Sequence, residues 1–364
     1  MDNIYDKYHI SHIINASGKM TILGGSRLSE EVCEYMKFGA NHFFEIKDLL
    51  NKTGDYLAQL IGVESAYIVN SASGAIAQSV ASCISKGNIQ DILHPYNFEN
   101  KKREIVICKG HNVDYGTPIE LTISLGGGKI IEAGYANRCT LEHVQSCINE
   151  NTAALIYVKS HHCVQKEMPD IQSFIQLAHQ NQLPVIIDAA AEEDLLKYYK
   201  MDGDIIIYSG TKALEGPTSG LIIGKKAFVE QIKKQSLGIG RVMKIGKENI
   251  LGLVHAIECY LQHQHSTLEQ QIQRLEPFNK KINQINGLSA RCVQDEAGRL
   301  IIRSEITFLN GNALEIVQKL KEGKTKIYTR DYHANEGKIE IDIRDVTDHE
   351  LDIIYEKIAT IMKG

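Results

Sequence analysis

Two stretches decide the fold: Pro184-Val-Ile-Ile-Asp188-Ala-Ala190 and, a little further on, Asp204-Ile-Ile-Ile-Tyr-Ser209-Gly-Thr-Lys212. Each is an apolar run that ends abruptly in small residues beside one ionisable side chain. Such runs read as strands buried on both faces, and open parallel sheets place ligands at the C-terminal ends of their strands. Asp188 and Lys212 are 24 residues apart (212 − 188). That spacing is one β-α-β step, so both groups are expected at neighbouring strand ends.

Outward from these runs the alternation continues. Apolar runs at Ala66 to Val69, Glu104 to Cys108, Lys129 to Ala133, Ala153 to Val158 and Leu221 to Ile223 predict further strands. Helical spacing of apolar residues lies between or before them, at Asp48 to Ile61, Ala75 to Ser85, Leu141 to Ile148 and Ile171 to Ala178. Short strands alternating with helices predict an α/β domain with a mainly parallel sheet. Beyond about Lys244 the pattern changes. One long helical stretch from Lys247 to about Asn286 precedes a strand-like run from Arg299 to Phe308, a helix, strands at Thr325 to Thr329 and Lys338 to Ile343, and a last helix at Asp348 to Met362. The expected organisation is an N-terminal arm over 1–46, a large domain over 47–246, and a connecting helix with a small α+β domain over 247–364.

The 364 residues carry a formal net charge of −5, with 43% hydrophobic and 23% charged residues, an ordinary globular composition. The basic triplet Lys101-Lys102-Arg103 is bracketed by Glu99 and Glu104, so no nucleic-acid partner is expected. Eight cysteines without a CxxC pair read as reduced thiols of a cytoplasmic protein, with neither a disulfide framework nor a zinc motif. The first residues lack the apolar core of a signal peptide, and no segment reaches the roughly 18 apolar residues of a transmembrane span. No membrane association is expected.

Three constellations carry chemistry. Asp188 offers a carboxylate at a strand end, although a helix N-cap followed by Glu192-Glu193 fits it as well. Lys212 offers an amine that desolvation makes more nucleophilic toward an aldehyde, although a lone lysine after a strand is commonly just solvated. In Asn70-Ser71-Ala72-Ser73-Gly74-Ala75, small side chains let the amides of a helix N-terminus approach a phosphate, and a serine-capped turn explains that stretch equally. Together they meet one requirement. Pyridoxal 5′-phosphate (PLP) needs a phosphate cradle, a carboxylate against its pyridine nitrogen and a lysine that forms a Schiff base with its aldehyde. A dinucleotide site would want GxGxxG after the first strand, and none is present.

On these residues the chain resembles the fold-type I PLP enzymes, whose large domain is of the aspartate aminotransferase-like kind. The closer likeness is to the branch containing bacterial selenocysteine synthase and D-glucosaminate-6-phosphate ammonia-lyase. The motifs that carry it are Ile14-Asn-Ala-Ser-Gly18-Lys-Met-Thr-Ile-Leu-Gly-Gly-Ser26, Ile187-Asp188-Ala-Ala-Ala191 and Tyr208-Ser-Gly-Thr-Lys212-Ala-Leu-Glu-Gly-Pro217-Thr-Ser-Gly220.

The resemblance implies a homodimer with active sites at the subunit interface, toward which the N-terminal motif reaches. It implies the Ser71 to Gly74 turn as phosphate cup, Ser209 as a further hydroxyl, Asp188 at the pyridine nitrogen and Lys212 as both attachment point and general base. His111 matches the position that stacks on the cofactor, and Arg344 the small-domain arginine for an α-carboxylate. Arg241, Lys19 and Arg27 are candidates for other anionic groups, and His161, from the adjacent pair His161-His162, for a substrate contact.

No metal site is expected at that pair, because residues i and i+1 point apart. The expected reaction is α-proton abstraction from a 2-amino-3-hydroxy acid, such as an amino sugar acid with or without phosphate, followed by β-elimination to a 2-oxo acid and ammonia. Selenium transfer, a cysteine desulfurase-like reaction using Cys163, and a non-catalytic sensor of a phosphorylated metabolite are the alternatives.

Overall fold

The computed structural model describes residues 3–99, 101–160, 162–262, 267–295, 300–309 and 312–363. Among them twelve strands follow in chain order: β1 (His12–Ala16), β2 (Ser65–Val69), β3 (Glu104–Cys108), β4 (Lys129–Ala133), β5 (Thr152–Val158), β6 (Val185–Asp188), β7 (Ile205–Ser209), β8 (Gly220–Gly224), β9 (Leu288–Gln294), β10 (Ile302–Phe308), β11 (Thr325–Thr329) and β12 (Lys338–Asp342). The chain forms two compact units, Leu28–Leu261 and Met1–Arg27 with Gln262–Gly364.

The larger unit is built on a seven-stranded sheet of order β2-β8-β7-β6-β5-β3-β4, in which only β8 runs antiparallel to its neighbours. Side chains alternate between two apolar layers, as the two-residue period of a strand requires. Val185, Ile187, Ile206 and Tyr208 enter one layer, while Ile186, Ile205 and Ile207 enter the other. Both faces are thus dry, which is why these strands read as unbroken apolar runs rather than alternating ones. Helix Ala72–Ser85 lies over β5 to β8 on the second face and is buried along most of its length.

In the smaller unit β12-β10-β9 form an antiparallel sheet, and β1 pairs in parallel with β11. Helices Leu268–Ile282, Ala313–Leu320 and Asp348–Lys363 cover a core that includes Ile14, Leu275, Ile306, Ile327 and Ile354. Arg303 is 2% exposed and bridges Asp295 at 2.7 Å and Asp342 at 3.0 Å. Burial alone would push the Asp342 carboxyl up, but Arg344 and Arg303 hold it down at about 2.

The units divide the chain at places other than the expected 46/47 and 246/247. Residues up to Arg27 join the C-terminal unit because β1 pairs with β11 there and buries Ile14 and Ala16 in its core. Helix Lys247–Gln262 joins the larger core through Ile250, Leu253 and Ile257. The single long helix expected from 247 to about 286 is two helices, the second starting after a Thr267/Gln270 capping box. Two strands, β1 and β9, escaped the sequence reading; β9 alternates buried Leu288 and Ala290 with exposed Ser289 and Arg291, a weak signal beside the preceding helix.

The Arg303 network makes a stability prediction. Arg303→Met removes the buried cation that Asp295 and Asp342 share, leaving Asp342 to Arg344, and should cost roughly 3–5 kcal/mol in urea unfolding at neutral pH. The loss should shrink as pH falls, because a carboxyl held down at about 2 contributes fully above its unfolded value and ceases to contribute as pH falls through about 2. An unchanged urea midpoint at pH 7 contradicts this assignment.

Candidate active site

The strand period places the site. Asp188 follows Ile186 by two residues and Ser209 follows Ile207 by two, so both point to the sheet face that carries helix Ala72–Ser85. Strands β6 and β7 are parallel neighbours, with Asp188 opposite Ile207. Gly220, the first residue of β8, pairs with both Val69 and Ser209 and so ties the end of β2 to the end of β7. A Cβ at Gly220 would lie 2.5 Å from the Ser71 carbonyl, which only glycine avoids. The Ser71 turn and Ser209 are thereby brought to one edge.

At that edge Ser71 caps the helix, its hydroxyl accepting from the Gly74 amide at 2.9 Å. The amides of Ala72 and Ser73, in the first turn, have no intrahelical acceptor, and the helix dipole favours an anion there. The Ser73 hydroxyl lies 3.0 Å from that of Tyr115, which lies 2.8 Å from Thr122 Oγ1. Gly74 packs against Asn70, whose side-chain oxygen would be 2.0 Å from a Cβ placed there. The turn fits a phosphate.

Asp188 is buried, and its Oδ1 accepts from the Ala190 amide at 3.1 Å. Desolvation pushes its carboxyl up, while the charge of Lys212 and the Ala190 amide pull the other way. Lys212 sits half-buried in a turn held by Gly210 N–H to Ser219 O at 2.9 Å and Gly216 N–H to Gly210 O at 2.7 Å. Its charge also reaches His162, whose ring is pushed down first by burial and then by Lys212. A buried carboxylate, a half-buried amine and a phosphate cradle at one sheet edge fit PLP.

The remaining expected residues are spread over both units. His111 is fully buried, edge-on to Tyr157 at 4.5 Å between ring centroids, and Tyr157 belongs to the opposite apolar layer. The His111 ring is thereby packed on its Tyr157 side. Burial, then the charge of Lys159, pushes it down to about 4, so it is neutral at neutral pH. The exposed His162 was noted in sequence only as half of a pair; its nearness to Lys212 comes from the turn after β5, which no local pattern reveals. His161 lies outside the described residues.

Arg241, in the same unit, lines a cleft of about 810 Å³ with Lys47, Lys233, Lys234 and Lys244. Lys19, Arg27 and Arg344 belong to the smaller unit. Glu350 engages both terminal nitrogens of Arg27, at 2.7 and 3.3 Å, an ion pair within its own unit. Arg344 is held two-pronged by Asp342, Nη2 at 2.8 Å and Nε at 3.0 Å, under the Gly18 turn. Cys163 lies on the Asp188 face, and burial followed by the Asp188 charge pushes its thiol up to about 12. A thiol so held is a poor nucleophile, against the desulfurase alternative.

Comparison with known proteins meets the same geometry. A family model described as "SelA: L-seryl-tRNA selenium transferase" matches residues 13–315. The chain belongs to this family. It is 43% identical to a D-glucosaminate-6-phosphate ammonia lyase of Salmonella typhimurium (strain 14028s / SGSC 2262), across 99% of this chain and 98% of that protein. A 5′-C-glycyluridine monooxygenase-decarboxylase of a Streptomyces species is 34% identical over 93% of this chain and 87% of its own length. A solved structure of D-glucosaminate-6-phosphate ammonia-lyase, also 43% identical, superimposes with a TM-score of 0.94 over 100% of this chain and 99% of its own. The fold is that of the fold-type I PLP enzymes, and the family is one of PLP-dependent enzymes.

The raised Asp188 carboxyl predicts a pH signature in the cofactor-free protein. Its folded-state contribution is present below the unfolded carboxylate value and lost as pH rises through the raised one. Asp188→Asn keeps the acceptor for Ala190 and removes the buried charge, so the apoprotein should melt roughly 2–4 °C higher at pH 8 and show no gain at pH 4. A lower midpoint at both pH values contradicts it.

Proposed function

We propose that the chain is a PLP-dependent ammonia-lyase that converts a phosphorylated 2-amino-3-hydroxy sugar acid to a 2-oxo acid and ammonia. The observation that carries this reading is the convergence of Lys212, Asp188 and the Ser71–Gly74 turn at one sheet edge. Near-full-length likeness to a protein named for that reaction supports it.

The Ala72 and Ser73 amides, with the hydroxyls of Ser73 and Ser209, would hold the cofactor phosphate, Asp188 its pyridine nitrogen and Lys212 its aldehyde carbon. When bound, the cofactor supplies an electron sink that makes the substrate Cα proton removable. Asp188 keeps a positive charge at the ring nitrogen, which offsets the cost of its own burial. Lys212, as a free amine, would take the Cα proton. The proton that Lys212 takes from Cα would be available to the departing β-hydroxyl, which would leave as water. The dry walls around Asp188 exclude water and so strengthen each of these contacts. His111, buried just after β3, is assigned to the face of the cofactor ring.

Arg344, oriented by Asp342, and the Arg241 cleft are assigned to the carboxylate and the far phosphate of the substrate, with Lys19 as a further contact. The motif Asn15 to Ser26 is assigned to a neighbouring copy's site in a cytoplasmic homodimer. Asn15 holds that motif in shape by accepting from the Ser17 amide at 3.1 Å and donating to the Gly18 carbonyl at 2.8 Å. Among the described residues no helix is long and apolar enough to cross a membrane.

Incubation of the PLP-loaded protein with D-glucosaminate 6-phosphate, its unphosphorylated form and serine, read as ammonia and 2-oxo acid, tests the proposal. The phosphorylated sugar acid should be turned over fastest, and Lys212→Ala should lower the rate by at least roughly 10²–10⁴-fold. Absence of ammonia from every hydroxy acid sinks the lyase, and sulfide release from cysteine in its place points to the desulfurase.

A further inference from the structure

Away from the Lys212 edge, a second cluster stands between two helices of the larger unit. Glu31 lies in the first turn of helix Glu30–Asn41, while His255 and Cys259 are one turn apart on helix Lys247–Gln262. One ligand atom from each, a carboxylate oxygen, an imidazole nitrogen and the thiol sulfur, lie within 4.8 Å of one another. Spacing of i and i+4 puts His255 and Cys259 on one helix face. A search for CxxC pairs passes over it.

The imidazole is oriented for a ligand. His255 Nδ1 contacts Glu258 Oε2 at 2.7 Å, and Glu258 Oε1 in turn accepts from the Tyr56 hydroxyl at 2.6 Å. The Tyr35 ring stacks on the imidazole, 3.8 Å between centroids and 3° from parallel. These contacts commit Nδ1 to the carboxylate and aim Nε2 at Cys259 Sγ, 3.5 Å away. A carboxylate behind a histidine is the usual outer partner of a metal-bound imidazole, fixing its tautomer and raising its basicity.

The separations match a particular ion. Tetrahedral bonds of roughly 2.3 Å to sulfur and 2.0–2.1 Å to nitrogen or oxygen hold the ligand atoms about 3.5–3.6 Å apart across the ion. Cys259 Sγ stands 3.5 Å from His255 Nε2 and 3.8 Å from Glu31 Oε2. We propose that Glu31, His255 and Cys259 bind one Zn²⁺ ion, with solvent as the fourth ligand, and so clamp helix Glu30–Asn41 to helix Lys247–Gln262. A thiolate with an imidazole selects a borderline-soft cation over Mg²⁺ or Ca²⁺. Binding forms the Zn–S bond as the thiol S–H breaks, and its proton passes to solvent. No oxidant or reductant is involved.

Full-length, PLP-loaded protein treated with a chelator and dialysed against Zn²⁺ tests the site, with bound metal measured by elemental analysis and Co²⁺ as a spectroscopic probe. Wild type and Cys33→Ser, which alters an exposed cysteine on the same helix as Glu31, should each hold one Zn²⁺ per chain and give thiolate-to-cobalt absorbance. Cys259→Ser should lose both. Glu258→Gln, which touches no ion, should weaken Zn²⁺ binding by roughly 10–100-fold. If Cys259→Ser does not fold, His255→Gln and Glu258→Gln decide the matter. Substoichiometric Zn²⁺ in wild type, or equal affinity in wild type and these variants, overturns the proposal.

Discussion

A carboxylate taken out of water must meet a positive partner, and much of the larger unit serves to arrange that meeting for Asp188. Its burial follows from two dry faces of a seven-stranded sheet, so the group cannot be relieved by solvent. Its partner comes from the next strand along, because β6 and β7 run parallel and end at the same edge. Lys212 supplies part of the compensation, and the desolvation that outweighs it leaves room for a second cation. A protonated ring nitrogen is such a cation. The role proposed for Asp188 at the cofactor ring nitrogen draws on that same desolvation.

The Ser71–Gly74 turn obeys a different constraint, close approach of backbone to backbone. Gly220 lets β8 run beneath the Ser71–Ala72 turn, and Gly74 lets the helix begin directly over Asn70. Larger side chains at either place would lift the helix N-terminus from the sheet edge. In the smaller unit the corresponding constraint is charge. Arg303, Arg344, Asp295 and Asp342 neutralise one another around β10 and β12, and Gly18, at φ +92°, turns the N-terminal motif over the Asp342–Arg344 pair. A residue read as a substrate contact is thus also part of the scaffold that orients it.

Much of this was legible in the sequence. Runs such as Val185 to Ile187 and Ile205 to Tyr208 announce doubly buried strands because both of their faces must be apolar, and the strand end then fixes where Asp188 and Lys212 go. The N-terminal strand was hidden because its partner, β11, lies more than 300 residues away (325 − 12 = 313), and no local pattern reports such pairing. The contact of His111 with Tyr157 was hidden because a position after a strand does not tell which layer a ring meets. The Arg27–Glu350 pair was hidden because its two members lie near opposite ends of the chain. Long-range partners, rather than local propensities, account for each of these differences.

The central claim is that the turn after β7 delivers one particular amine to the cofactor. Borohydride reduction of the PLP-loaded protein, followed by proteolysis and mass spectrometry, measures this directly. The account predicts a single pyridoxyl adduct, carried on Lys212, with the yellow colour lost in step with its formation. Label on another lysine, or none on a protein that still processes substrate, contradicts it.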